Sequence, residues 1–206
     1  MIYIFVQHIA PILNESLIHF EQRNYTKIVI AILRIGVPSS YVWLAIFYWL
    51  FHAWTNFWGE VTRFADRRFY SDWWNAGNLA EYWRKWNYPI HNWLVRHMYF
   101  PLVRRGYNSE LSRFLTFAVS AAFHEYIIVG VFRVCNLTAF TMMIINVPLM
   151  QLQKVLRNKL SKNANNILFW VAYTVICLPL GISIFYYNTM RHTLYEKGGA
   201  LYNVDM

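Results

Sequence analysis

Charge is scarce in this chain. Only 14% of its 206 residues are Asp, Glu, Lys or Arg, against about 25% in an ordinary soluble domain, so a globule could not be covered with polar side chains. Cysteine is scarcer still. Cys135 and Cys177 are the only two, each inside an apolar run, which excludes a disulfide scaffold and reads as a free pair. The sequence has no glycine-rich phosphate loop, no G-x-S-x-G nucleophile elbow and no H-E-x-x-H pair, so the best-marked hydrolase and metal chemistries find no footing. His91 and His97 are six apart and fall on different helix faces, so no metal ligand cluster is expected. Apolar and aromatic side chains take the place of charge: 57% hydrophobic, 19% aromatic, ten Trp and a net charge of +9. Disordered chains are poor in aromatics, which leaves a bilayer-embedded protein. Its mean hydropathy of +0.24 places a substantial part outside the hydrocarbon.

Four stretches are nearly free of formal charge: Ile35–Gly59, Phe114–Phe132 (broken only by His124 and Glu125), Val134–Gln153 and Asn163–Met190. A bilayer core of about 30 Å takes about 20 apolar helical residues, so each run can cross once. The expected fold is all-α: a polytopic transmembrane helical bundle with an interfacial amphipathic helical segment, forming one membrane-embedded domain over 1–206. The spans are expected at 41–58, 113–132, 134–153 and 166–188, with a partial span at 1–13. Tyr25–Val37 reads as a separate short helix ended by Pro38, with Ser39 or Ser40 capping the next. Met1 opens directly in hydrophobic sequence without the basic region of a signal peptide, so the chain is expected to be the C-terminal part of a longer protein.

The basic residues gather in two places. Segment 60–110 carries Arg63, Arg67, Arg68, Arg84, Lys85, Arg96, Arg104 and Arg105, and loop 154–165 carries Lys154, Arg157, Lys159 and Lys162. Basic loops stay in the cytosol, and the two spans between these loops put both on that side, with the C-terminus luminal. Within 60–110, Trp83, Trp86, Ile90, Trp93, Leu94 and His97 recur at helical spacings of three and four, with a kink or restart required at Pro89. Two readings stand for this segment. One is a Trp-anchored interfacial helix; the other is a floor for an amphipathic polyanionic substrate, with Arg84, Lys85, Arg96, Arg104 and Arg105 available to phosphates. Nucleic acid has little place between bilayer spans.

His124 and Glu125 lie near the middle of a span, where ionisable side chains are costly and mark functional sites by default. Ser120 and Ala121, one turn back, are expected to share the face of His124 and to let a helix or a substrate tunnel come close. A histidine hydrogen-bonded between helices is the alternative. Without a nucleophilic Ser or Cys motif, such a histidine suits a general base acting on a substrate's own hydroxyl.

The stretch Phe69-Tyr-Ser-Asp-Trp-Trp-Asn75, followed by His124-Glu-Tyr126 in a span, resembles the F-Y-x-D-W-W-N and H-E-Y signatures of the membrane-bound O-acyltransferase family, in its sterol and diacylglycerol branch. Trp86-Asn-Tyr-Pro-Ile-His91, Arg96-His-Met-Tyr-Phe-Pro101 and Arg104-Arg-Gly106 are more similar to the diacylglycerol members. The resemblance runs from about Ile9 to about Asn188. It implies transfer of a fatty acyl group from acyl-CoA to the free hydroxyl of diacylglycerol, giving triacylglycerol, without metal or other cofactor, in the endoplasmic reticulum membrane. His124 would be the general base and Asn87 would orient it or the thioester carbonyl. Phe69, Tyr70, Asp72, Trp73, Trp74 and Asn75 would form part of the acyl-CoA entrance, His91 would line the passage, and Glu125 would support the site. The resemblance also implies a homo-oligomer for the full-length protein. Two positions depart from the branch. Leu178 stands where a Gln of a Gly-Gln-Pro block is expected, and Tyr187-Asn188 where His-Asp is usual, so sterol and fatty-alcohol acceptors stay open beside diacylglycerol, as does an inactive relative acting as a membrane interaction partner.

Overall fold

The computed structural model describes residues 1–156 and 161–196, and among them helix is the only regular secondary structure. Arg157 and Lys159 of the basic loop, and the tail from 197, lie outside the described residues. In chain order the principal helices are α1 (Ala10–Glu21), α2 (Tyr25–Val61), α3 (Leu79–Trp86), α4 (Tyr88–Leu94), α5 (Phe100–Arg104), α6 (Ser109–Phe132), α7 (Thr138–Ile144), α8 (Asn146–Leu156) and α9 (Lys162–Thr193). Three of them, α2, α6 and α9, are long and apolar enough to cross a membrane.

Proline explains where this pattern departs from the sequence expectation. The helix expected to stop at Pro38 continues through it, and Ser39 and Ser40 donate their hydroxyls to the Gly36 carbonyl at 3.0 and 2.8 Å instead of capping a new helix. At about 1.5 Å per residue α2 is about 55 Å long, more than one hydrocarbon thickness. The run 134–153, expected as a fourth span, is two short helices parted at Ile145. Pro148 has no N–H to offer the Ile144 carbonyl, and the Asn146 amide turns back onto the Met142 and Met143 carbonyls at 2.8 and 3.1 Å. Elsewhere a proline widens the turn before it. The π-helical turns Phe5–Ile9, Val95–Tyr99 and Ala172–Cys177 each end two residues before a proline, at Pro11, Pro101 and Pro179. In each case the carbonyl four residues before the ring lies inside the widened turn, which relieves the clash that the ring would cause. The fourth such turn, Tyr48–Trp54, has no proline after it.

The chain packs as two compact units: Met1–Ile46 with Ile128–Thr138 and Trp170–Met206, and Phe47–Ile127 with Ala139–Phe169. The first is centred on buried Ile9, Leu13 and Ile35, with Ile12, Val42, Ile182 and Tyr186 packed around them. α2 and α9 cross closely there, because a Cβ on Gly36 would lie 3.3 Å from the Thr174 carbonyl oxygen. In the second unit α2 ends where Arg63 turns left-handed (φ 55°) and Phe64 N–H bonds the Gly59 carbonyl at 2.9 Å. This C-terminal turn releases the chain into the signature segment, which is irregular up to Asp72 and closes in a 3₁₀ turn at Trp73–Asn75. Much apolar surface faces outward. In the most apolar stretch of α6 only 11% is buried, a surface costly in water and at ease in hydrocarbon.

Candidate active site

The first residues of the signature segment form a strap laid across the α3–α4 junction, and Trp73–Asn75 close the segment as a 3₁₀ turn. Tyr88 N–H donates to the Phe69 carbonyl at 2.9 Å and Ser71 N–H to the Lys85 carbonyl at 3.0 Å. The helix boundary between those anchors comes from two residues. Pro89 occupies the first turn of α4, and Asn87, extended at φ −149° and ψ 93°, caps it by accepting from Ile90 N–H at 3.2 Å. The expected restart at Pro89 is thus present, and Asn87 has a local duty: its Oδ1 holds α4, which leaves the Nδ2 donors for another acceptor.

α3 is capped as completely. Asn78 accepts from Glu81 N–H at 2.9 Å, Glu81 accepts from Gly77 N–H at 3.0 Å, and Gln153 of α8 accepts from Leu79 N–H at 2.8 Å. Asn166 of α9 donates to the carbonyls of Trp74 and Ala76 at 2.8 and 2.7 Å. Neither Gln153 nor Asn166 is visible in the signature's own pattern. Their one sequence signal is an amide side chain inside a run otherwise free of charge.

Most signature side chains are committed to packing and pairing. Trp73 is 4% exposed, and its ring meets those of Phe47, Trp74 and Trp86 at centroid distances of 4.7, 5.4 and 5.2 Å. Tyr82 stacks on Trp86 at 5.4 Å and meets Phe169 at 5.4 Å. Tyr70 packs edge-on against Phe47 at 4.9 Å, and its hydroxyl lies 2.7 Å from His52 Nδ1, a partner absent from the sequence reading. Asp72 accepts from Ser71 Oγ at 2.9 Å and pairs with Lys85 at 2.9 Å, and Lys85 also reaches Glu81 at 2.9 Å. Lys85, expected among the phosphate-binding cations, is therefore engaged by two carboxylates. Those contacts hold the Asp72 carboxyl below its usual range, with Lys85 the main cause and Ser71 second. For Glu81, burial works in the opposite direction and is outweighed by Lys85 and the Gly77 amide. The Lys85 ammonium is held above its usual range by Glu81 and Asp72. Trp74 and Asn75 are exposed, as are Arg84, Arg96, Arg104 and Arg105. His91 is half-buried, and burial, together with the Arg84 charge, pushes its imidazole below the ordinary histidine range.

α6 presents two faces. Ser112, Ala121 and Glu125 are its buried residues; Ala121 and Glu125, one turn apart, share a face, and Ser112 lies on the opposite side near the start of the helix. Glu125 accepts from Phe140 N–H in the first turn of α7 at 3.1 Å, a carboxylate placed at a helix N-terminus. Ala121, three residues before His124 and within one turn of it, is buried where His124 is exposed. His124 is exposed, which differs from the enclosed position expected, because little of α6 is turned inward. Its Nδ1 lies 2.7 Å from the Ser120 carbonyl oxygen. A carbonyl can only accept, so Nδ1 is the donor, and Nε2 is the nitrogen that bears the lone pair in the neutral imidazole. Trp93 of α4 meets Phe123, the neighbour of His124, edge-on at 6.4 Å, and Trp83 of α3 meets Phe117 at 5.9 Å. The two helices that flank Asn87 therefore rest on the α6 segment that ends at His124. Among the described residues no group of three or more metal-ligating side chains occurs. The chemistry available is an imidazole, an amide donor and exposed arginines on the same segment as the signature.

At the departures from the branch, Tyr187 donates to Glu21 at 2.7 Å and Asn188 to Thr138 Oγ1 at 3.0 Å, so both positions hold the first unit together. Leu178 follows the widened turn Ala172–Cys177 directly.

Comparison with known proteins agrees with these motifs. The membrane-bound O-acyltransferase family model matches residues 18–188. Among curated relatives, the chain is 37% identical over 190 residues to Diacylglycerol O-acyltransferase 1-2 of Oryza sativa subsp. japonica, covering 92% of this chain and 40% of the relative. It is 39% identical over 190 residues to Diacylglycerol O-acyltransferase 1C of Glycine max, covering 92% and 37%. To Diacylglycerol O-acyltransferase 1 of Dictyostelium discoideum it is 38% identical over 182 residues, covering 88% and 29%. The chain thus spans about two-fifths or less of the length of these relatives.

Proposed function

This chain belongs to the membrane-bound O-acyltransferase family, and from that premise we propose that it carries the acyl-transfer site of an acyl-CoA:diacylglycerol O-acyltransferase of the endoplasmic reticulum membrane. The observation that supports this most directly is the His124 tautomer, with Nδ1–H spent on the Ser120 carbonyl and Nε2 free. In the reaction, Nε2 takes the proton from the diacylglycerol hydroxyl as the hydroxyl oxygen bonds to the thioester carbonyl carbon. The C–S bond then breaks, triacylglycerol is released, and the sulfur of CoA leaves with the proton returned by His124. A positioned general base contributes on the order of 10²–10⁴ in rate.

Asn87 supplies the second element. Its Nδ2 donates to the carbonyl oxygen as negative charge develops there, where one well-placed donor is worth on the order of 10²–10³. Glu125 holds α7 against α6 behind His124. Phe69, Tyr70, Asp72, Trp73, Trp74 and Asn75 form the cytosolic rim through which acyl-CoA enters, and His91 lines the passage. Arg84, Arg96, Arg104 and Arg105 face the phosphates of CoA. Segment 60–110 is cytosolic by its arginines, and the full-length protein works as a homo-oligomer. No metal takes part in this chemistry.

The test is transfer from labelled oleoyl-CoA in membranes containing the full-length protein, with diacylglycerol, cholesterol and a long-chain alcohol as separate acceptors. Labelled triacylglycerol as the main product supports the reading. A preference for steryl or wax ester would move the acceptor to the alternatives that Leu178 raises, and no product with any acceptor would favour a non-catalytic membrane partner.

A further inference from the structure

We propose that His52 is a positioning residue of this site, acting through Tyr70 on the turn that carries Asn87; the proposal rests on the acyl-transfer reading above. Among the described residues, Tyr48–Trp54 is the π-helical turn without a proline behind it, and widened turns of this kind recur at functional sites. Its carbonyls are satisfied by side chains. Thr55 Oγ1 donates to the Phe51 carbonyl at 2.6 Å, and Asn56 Nδ2 to the His52 carbonyl at 2.7 Å. The result is to aim His52, stacked on Tyr48 at 5.1 Å, at the signature segment, where Nδ1 lies 2.7 Å from the Tyr70 hydroxyl.

Tyr70 is the hinge of the strap. The residue before it accepts from Tyr88 N–H and the residue after it donates to the Lys85 carbonyl, at 2.9 and 3.0 Å, so the two backbone bonds that bracket Asn87 both run to neighbours of Tyr70. The ring is held by Phe47 and the hydroxyl by His52, which fixes the strap in rotation as well as in depth. Without that partner, a phenol hydroxyl among aromatic rings is left to find another acceptor, and the strap shifts to let it. Asn87 Nδ2 then loses its aim while its Oδ1 still caps α4.

The experiment uses the full-length protein in membranes with His52→Phe, Tyr70→Phe, the double variant and His52→Asn, whose amide places a polar atom close to the position of Nδ1. Two quantities are read: kcat and KM for acyl-CoA, and amide exchange at Ser71 and Tyr88. The expected result is a roughly tenfold loss of kcat in each single variant and about the same loss in the double, since both delete one interaction. KM stays within about twofold, exchange at both amides accelerates about tenfold or more, and His52→Asn recovers most of the lost rate. Losses that multiply in the double variant, or unchanged exchange at Ser71 and Tyr88 in His52→Phe, would overturn the proposal. If His52→Phe does not accumulate, Tyr70→Phe, which removes a single oxygen, carries the same two readouts. If the parent protein transfers no acyl group, the functional reading falls, and amide exchange alone decides the role of His52.

Discussion

The signature segment and the α6 turn around His124 are built in opposite ways. Phe69–Asn75 is tied down at almost every residue: rings on Trp73 and Tyr70, an ion pair on Asp72, backbone bonds at Phe69 and Ser71. His124 stands on an exposed helix face and makes one bond, to its own helix. The most distinctive sequence pattern in the chain is therefore mostly scaffold, and the atom proposed as the base sits where the scaffold is thinnest. Rare residues in fixed order mark a shape that must be kept. A lone ionisable group in an apolar run marks the chemistry.

Substitutions on each side can break that division. His124→Ala should remove catalysis, a fall on the order of 10²–10⁴ in kcat, and leave thermal stability in detergent within a degree or two, since the exposed ring supports no packing. Trp73→Ala should do the reverse. It opens a cavity among buried rings at about 3–5 kcal/mol, read as a large drop in the melting temperature with loss of activity following loss of structure. Asn87 joins the two sides. Asn87→Asp keeps an oxygen to cap α4 and removes the donor, so kcat should fall about 10²-fold at nearly constant stability, whereas Asn87→Ala should also lose about 0.5–2 kcal/mol of capping.

The smallest expected effect is acid sensitivity of the strap. Asp72 and Glu81 have carboxyls held below their ordinary range, so the stability they contribute is present above the unfolded pKa and lost as pH falls through the lower folded values. Lys85 is raised, so its share is complete below its unfolded pKa and lost only at strongly alkaline pH. The protection of the Ser71 amide relative to its intrinsic exchange rate should therefore fall as pH drops through the lowered range of these carboxyls, and Lys85→Met should flatten that dependence.

Much of this was legible from residue order. Charge-free runs place α2, α6 and α9, and Pro89 with Asn87 places the α3–α4 boundary. Proline was harder to read, because its effect depends on what satisfies the freed carbonyl. Pro38 is passed with the help of two serines, Pro148 breaks a span, and Pro11, Pro101 and Pro179 widen turns. The clamps on the signature were out of reach of local pattern: Gln153 meets Leu79 and Asn166 meets Trp74 across 74 and 92 residues. His52 was within reach. It is the sole histidine in the run 35–59, and the reasoning that singled out His124 applies equally to it.

The central claim is that His124 Nε2 is the base that activates the acyl acceptor. The measurement that tests it most directly is transfer of labelled oleoyl-CoA to diacylglycerol by the full-length protein in membranes, parent beside His124→Ala, at matched expression and stability. The account predicts labelled triacylglycerol from the parent and a loss of at least about 10²-fold in the variant. Near-normal turnover by His124→Ala would contradict it.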